Sequence, residues 1–247
     1  MNFRSAARLW LLTQQALREV LHLRLAWAFA GSAVGLTAAA SLLRELNFGA
    51  EEARFLCDLG EGTLMLFGVV LAVVLPVTLI QLRPARDAVE LLQMHRVRRY
   101  EWLLSRAMAS WVALLWLALV LQGLVAVLLW RYGHLVPLLA FVGNGGVSAL
   151  RLVIVACLAV AMSALVRGPV LAACLTMALT LAAQLSPIIA WAEQHGSGTM
   201  RSVWSIVDWA LLDFSAVGVS APQLAYVAGY IVLYLTLACW TFSRREL

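Results

Sequence analysis

The sequence predicts an all-α membrane protein, a single domain of residues 1–247 that crosses the bilayer with six helices. The chain is 63% hydrophobic and 13% charged, and its apolar residues fall into six long segments. A helix rises about 1.5 Å per residue, so about 20 residues cross a hydrocarbon core of about 30 Å. Each segment is long enough to do so. They are residues 25–43, 62–82, 107–130, 146–166, 170–191 and 222–242.

The charges between these segments are sorted by sign, which predicts the orientation of the chain. One set of alternate connections carries 13 arginines against five acidic residues, and the other carries four arginines against eight acidic residues. Cytoplasmic connections are enriched in Arg and Lys, so both termini are predicted to face the cytoplasm. The net charge of +5 follows largely from this sorting and does not indicate binding of nucleic acid. The arginine-rich connections are residues 1–24, 83–106, 167–169 and 243–247, and the acidic ones are residues 44–61, 131–145 and 192–221.

The first connection, residues 1–24, predicts an amphipathic helix that lies on the membrane surface. Its apolar residues recur every three or four positions, and its polar residues occupy the opposite side. The pattern fits either a plain membrane anchor or a connecting helix that takes up force from a cytoplasmic partner. The apolar set is Leu9, Leu12, Ala16, Val20 and Leu23, and the polar set is Arg4, Arg8, Gln15, Arg18 and His22.

The second arginine-rich connection, residues 83–106, predicts a short helix beneath the membrane. Pro84 opens it, and Ala88, Leu91, Leu92 and His95 follow at helical spacing before a dense basic patch. Two interpretations remain open. The patch anchors the chain to lipid phosphates, or the segment docks a soluble protein, for which its apolar face would be useful.

Glycine-rich stretches predict breaks on the acidic side. Residues 44–61 read as a solvated, glycine-punctuated loop, and residues 143–146 (Gly-Asn-Gly-Gly) predict an interruption before the fourth span. The apolar run 137–142 is too short to cross and is expected to dip in and return. Arg151 lies five residues into the fourth span, so its guanidinium either reaches the outer surface or lines a pathway or subunit interface.

The absence of lysine limits the chemistry of the chain, because all 18 basic residues are arginine. A nucleotide-binding P-loop needs a lysine for the terminal phosphates, and Schiff-base chemistry needs a lysine amine. The chain is therefore expected not to be an enzyme and to hold no cofactor or metal of its own. An intramembrane enzyme is a weak alternative, since no span offers a Ser/His set, a pair of aspartates or a group of histidines.

Several motifs are similar to those of the type-2 ABC-transporter permeases, a family of six-span subunits with both ends inside. Residues 97–106 (VRRYEWLLSR) resemble the family's segment that begins span three. Residues 47–49 (Asn-Phe-Gly) and 58–60 (Asp-Leu-Gly) resemble one bacterial branch. The closing part of the chain also resembles the family; it comprises residues 205–209, Pro222, Tyr226, Tyr230, Tyr234 and residues 242–247.

The resemblance implies a permease subunit of a bacterial plasma-membrane exporter, with ATP and Mg²⁺ held by a separate ABC ATPase. It also implies a second permease. The spans carry almost no charge, which indicates a lipid-like or amphipathic substrate. That second permease is expected to be a different chain, because Ala85, Ala88, Arg96 and Ser105 depart from the family's coupling loop; a pair of identical permeases is the rival. A non-transporting membrane scaffold for a cytoplasmic complex is the alternative function. The residues expected to contact the ATPase are Leu91, Leu92, His95, Arg96, Arg98, Arg99, Glu101 and Trp102.

Overall fold

A computed structural model describes residues 3–43, 52–82, 98–131, 135–184, 214, 217–218 and 220–244. Within these ranges the chain is helical and contains no strand, which confirms the predicted all-α class. Helix α3 continues into a π-helical turn, Thr78–Leu82. The helices in chain order are α1 (Phe3–Leu21), α2 (Arg24–Leu43), α3 (Glu52–Val77), α4 (Arg99–Arg131), α5 (Leu135–Leu165), α6 (Pro169–Gln184) and α7 (Ala221–Arg244).

Helix α1 has the two faces that its sequence predicts. Ala16 and Val20 are buried, whereas Arg18 and His22 are exposed. The buried face packs against α4. Helix α2 leaves α1 at 65°, and the indole N–H of Trp27 donates to the carbonyl of Leu21 at 2.7 Å. This bond ties the start of α2 to the end of α1, whose last carbonyls lack a helical partner.

Four helices are long and apolar enough to cross a membrane. They fall on the second, third, fourth and sixth predicted spans, and they are the helices of a membrane-embedded protein. Helix α2, the first predicted span, qualifies only as a bent pair with α1. Helix α6 covers the first part of the fifth span, and residues 185–191 lie outside the described ranges. The four helices are Arg54–Gln81, Arg99–Arg131, Asn144–Leu165 and Ala221–Arg244.

Three predicted boundaries are wrong because the helices extend further than their apolar segments. Helix α3 begins at Glu52, so residues 52–61 are not a loop. Helix α4 begins at Arg99, eight residues before the predicted span. Helix α5 begins at Leu135 and runs without interruption through residues 137–146, where the sequence predicts a re-entrant apolar run followed by a glycine break. Glycine weakens a helix by only about 1 kcal/mol, which tertiary packing readily offsets.

Helix α5 is the centre of the bundle. It contacts α3, α4, α6 and α7, and every residue from Leu152 to Ala161 is buried. A helical segment surrounded on all sides buries all of its faces, which explains the uniformly apolar sequence of residues 152–161. The break between α5 and α6 is short, as the sequence predicts, and lies at residues 166–168 instead of 167–169. Gly168 has a φ of +144°, a conformation open mainly to glycine, and it lets the chain reverse from α5 into α6.

Candidate functional sites

Helix α4 starts with a hydrogen-bonded cap formed by residues 98–101. Arg98 precedes the helix, and its backbone N–H donates to Oε2 of Glu101 at 3.2 Å. The N–H of Glu101 in turn donates to the carbonyl of Arg98 at 2.9 Å. This is the carboxylate half of a capping box, and it starts the helix at Arg99. Glu101 is accordingly buried, with 6% of its surface exposed.

Behind this cap, four side chains join three helices; we call Glu19, Trp102, Arg106 and Phe242 the α4 cluster. The ring of Trp102 stacks on that of Phe242 of α7, with centroids 5.6 Å apart and planes 11° apart. The guanidinium of Arg106 lies over the Trp102 ring, 5.3 Å from its centroid. Arg106 also forms an ion pair with Glu19 of α1. The α4 cluster therefore fixes α1 and α7 to the first turns of α4.

The surface outside this cluster is basic. Arg98, Arg99 and Tyr100 are exposed. Arg98 donates to the Tyr100 hydroxyl at 3.1 Å, and this hydrogen bond raises the pKa of Arg98. Arg99 donates to the carbonyl of Ser243 at 3.4 Å, near the end of α7. Both guanidinium groups face solvent next to the α4 cluster.

The residues predicted to contact an ATPase divide into three groups. Leu91, Leu92, His95 and Arg96 lie outside the described residues. Arg98 and Arg99 stand on the exposed basic surface. Glu101 and Trp102 lie beneath it, buried by the chain's own helices. The contact of all three groups with an ATPase stays a prediction.

Sequence reasoning missed Glu19, Arg106 and Phe242 as members of the α4 cluster. The spacing of Trp102 and Arg106 is a signal that could have found part of it, because residues four apart share a helix face. The two partners from α1 and α7 are far away in sequence. Only the packing of the three helices brings them together.

A hydrogen-bonded clamp joins the C-terminal ends of α3 and α5. Pro76 lies inside α3 and has no N–H to donate, and two residues later the helix widens into its π-helical turn. That turn carries Gln81, whose Nε2 donates to the carbonyls of Ser163 (2.8 Å) and Val166 (2.9 Å). Gln81 thus satisfies carbonyls at the end of α5. Gln81 itself lies directly before the connection at residues 83–97 in the sequence.

A second polar site lies near the other end of α3; we call it the polar cleft. It is a small opening between α3, α4 and α5, about 30 Å along α3 from Gln81. Glu61 accepts a hydrogen bond from the Ser148 hydroxyl at 3.1 Å, and Nε2 of Gln122 donates to the carbonyl of Gly145 at 2.7 Å. The lining residues are Glu61, Leu64, Gln122, Phe141, Asn144, Gly145 and Ser148.

Arg151 lies one turn further along α5 than Ser148. It is half-buried, about two turns into the part of α5 that can cross a membrane. Its Nε is enclosed and has no hydrogen-bond partner within the part of the chain that the structure describes. A role in a pathway or interface stays a prediction.

No protein-family model matches the chain, and no curated protein sequence matches it either.

Proposed function

We propose that this chain is the permease subunit of an ABC exporter for a lipid-like or amphipathic substrate, powered by a separate ATPase. The observation that carries the proposal is the exposed pair Arg98 and Arg99, which stands directly on the α4 cluster. A partner bound at these arginines would contact a place where α1, α4 and α7 are joined. The motif resemblance at residues 97–106 supplies the class of partner.

The α4 cluster gives this docking surface a way to act on the membrane helices. A force applied at Arg99 reaches α7 through the Ser243 carbonyl and through the Trp102–Phe242 stack. It reaches α1 through the Arg106–Glu19 pair. The Gln81 clamp holds the end of α3 to α5, so a push on the connection at 83–97 is transmitted to the central helix. ATP-driven closure of the partner would tilt these helices as packed units.

The substrate class follows from the character of the bundle. Within the described ranges most of the buried residues are apolar, and the buried charged residues, Glu101 and Arg106, lie in the first turns of α4. A small hydrophilic ion would meet few partners along such helices, whereas an amphipathic molecule would not need them. The second permease is a different chain in this proposal, and two identical copies are its rival.

Reversing the basic surface tests the proposal. We expect Arg98→Glu with Arg99→Glu to reduce the ATPase that co-purifies with the chain about tenfold, because like charges at an interface cost several kcal/mol. Both side chains are exposed, so the bundle itself should remain folded. The measurement is affinity purification of the tagged chain from its native membrane, followed by quantitative mass spectrometry of the intact complex, which also counts the permease chains.

Arg54→Glu with Arg131→Glu is the matched control, since it reverses two exposed arginines far from residues 98 and 99. This control should retain the ATPase. Equal amounts of ATPase in both variants would leave the two arginines of the docking surface as lipid anchors. A complex without any ATPase, isolated from wild-type membranes, would favour the membrane scaffold.

The proposal includes six spans with both termini in the cytoplasm of a bacterium, supported by the sorting of charges between the apolar segments. Cys57 provides a test, because it is partly exposed in the first turns of α3. In a variant whose other cysteines are replaced by alanine, a membrane-impermeant maleimide added to intact spheroplasts should label Cys57. Cys57→Ser should abolish the signal. Labelling that requires lysis would place this end of α3 inside and contradict the orientation.

A further inference from the structure

The polar cleft holds a carboxylate without a basic partner among the described residues. Glu61 is half-buried between α3 and α5, and Ser148 is its one hydrogen-bond donor in those ranges. The nearby Arg54 lies within 4 Å of Asp58 instead, on the exposed side of α3. An ionised carboxylate among packed membrane helices is costly unless a cation or several donors compensate it. Among the described residues, Glu61 therefore has no positively charged group to compensate its carboxylate.

The rest of the polar cleft offers hydrogen-bond acceptors together with the side-chain amide of Asn144, which can both donate and accept. The carbonyl of Gly145 can only accept, so the Gln122 atom that meets it must be the donating Nε2, and Oε1 of Gln122 is left as an acceptor. Ser148 gives its proton to Glu61 and keeps lone pairs. Such a lining favours a cation that donates hydrogen bonds and disfavours an anion.

The apolar part of the cleft limits the shape of the ligand. Leu64 and Phe141 are almost fully buried and form its hydrophobic wall. The Phe141 ring can also attract a cation through its π face. Gly145 brings the α5 backbone against Gln122, since a Cβ there would stand 2.5 Å from the amide. The cleft is consequently narrow and suits a compact charged group.

We propose that the polar cleft binds the primary ammonium group of an amphipathic substrate, with Glu61 as its counter-ion. The proposal rests on the proposed function for its substrate class. The described residues hold no group of three His, Cys, Asp or Glu side chains that could bind a metal ion. The proposal disfavours a trimethylammonium group, which donates no hydrogen bond.

Binding of dodecylammonium to the purified chain in lipid nanodiscs tests the proposal, with isothermal titration calorimetry as the measurement. We expect saturable binding at one site, weakened about tenfold or more by Glu61→Gln and also weakened by Ser148→Ala, because a hydrogen bond to a charged group is lost or reduced. Asp58→Asn is the matched control. It removes an exposed carboxylate one turn away on the same helix and should leave the affinity unchanged.

Several outcomes would overturn the proposal. These are no saturable binding to the wild-type chain, equal weakening by Asp58→Asn, equal affinity for dodecyltrimethylammonium, and displacement of the amine by Na⁺ or K⁺ alone. Thermal unfolding of each variant shows whether it is folded, and Ser148→Ala keeps the test available if Glu61→Gln is not. This experiment needs no ATPase, and the co-purification experiment does not involve Glu61. The two proposals can therefore fail separately.

Discussion

Replacing Arg106 by leucine is expected to destabilise the protein by about 3 kcal/mol. The Arg106 and Glu19 side chains are only 10% and 18% exposed, so the pair is largely screened from water. Arg106→Leu would leave the Glu19 carboxylate without its counter-ion in this position. It would also remove the guanidinium from the face of Trp102. Denaturant-induced unfolding in detergent micelles measures the loss.

Two further variants separate the buried charge from ordinary packing. The double variant Glu19→Leu with Arg106→Leu removes both charges, and it should recover most of the loss, because two apolar side chains replace a buried ion pair at little cost. Arg54→Ala breaks an exposed pair with Asp58, whose side chains are 80% and 73% exposed, and should change stability by less than about 1 kcal/mol. If the double variant is as unstable as Arg106→Leu, the unpaired carboxylate is not the cause.

The sequence predicts the fold class and the helices with strong periodicity, because these depend on local patterns. The two faces of α1 and the extent of α7, Ala221–Arg244, agree with their predicted segments. The start of α4 does not, because hydropathy marks the apolar segment and not the helix. The helix is extended to Arg99 by the Glu101 cap, a hydrogen bond that only the folded geometry reveals.

Glycine misled the predictions for α3 and α5 for a different reason. Gly60 and Gly145 read as loop residues in a single sequence, but both lie inside helices where another helix approaches closely. A Cβ on Gly60 would stand 2.6 Å from Val125 of α4. Small residues at helix contacts are common in membrane bundles. Which glycine breaks a helix and which permits a contact depends on a neighbour that the local sequence does not show.

The candidate sites also differ in whether they depend on the local sequence or on the packing of distant residues. Arg98 and Arg99 could be predicted because charge next to an apolar segment is a local signal. The polar cleft could not, because Glu61 and Ser148 are 87 positions apart and Glu61 was assigned to a loop. Its donors and acceptors come from three helices, and their meeting depends on how α3, α4 and α5 pack.

Gly68→Leu is expected to destabilise the bundle by about 3 kcal/mol, at the upper end of the usual cost of overpacking a core. Even a Cβ at this position would stand 2.7 Å and 2.9 Å from the two methyl carbons of Leu152. Leu152 is 1% exposed on the central helix α5, so other side chains enclose it. The larger side chain at position 68 would therefore push α3 and α5 apart where they meet at Leu152. Denaturant-induced unfolding in micelles measures the change in free energy.

Gly62→Leu is the matched control, because it lies on the same helix and has nothing within 4 Å of its Cβ position. It should stabilise the protein by about 0.5–1 kcal/mol, since leucine favours a helix more than glycine does. Opposite signs for the two substitutions are therefore expected. The double variant Gly68→Leu with Leu152→Ala should be more stable than the sum of its single changes, because each relieves the defect of the other. Strict additivity would show that Gly68 does not set the spacing between α3 and α5.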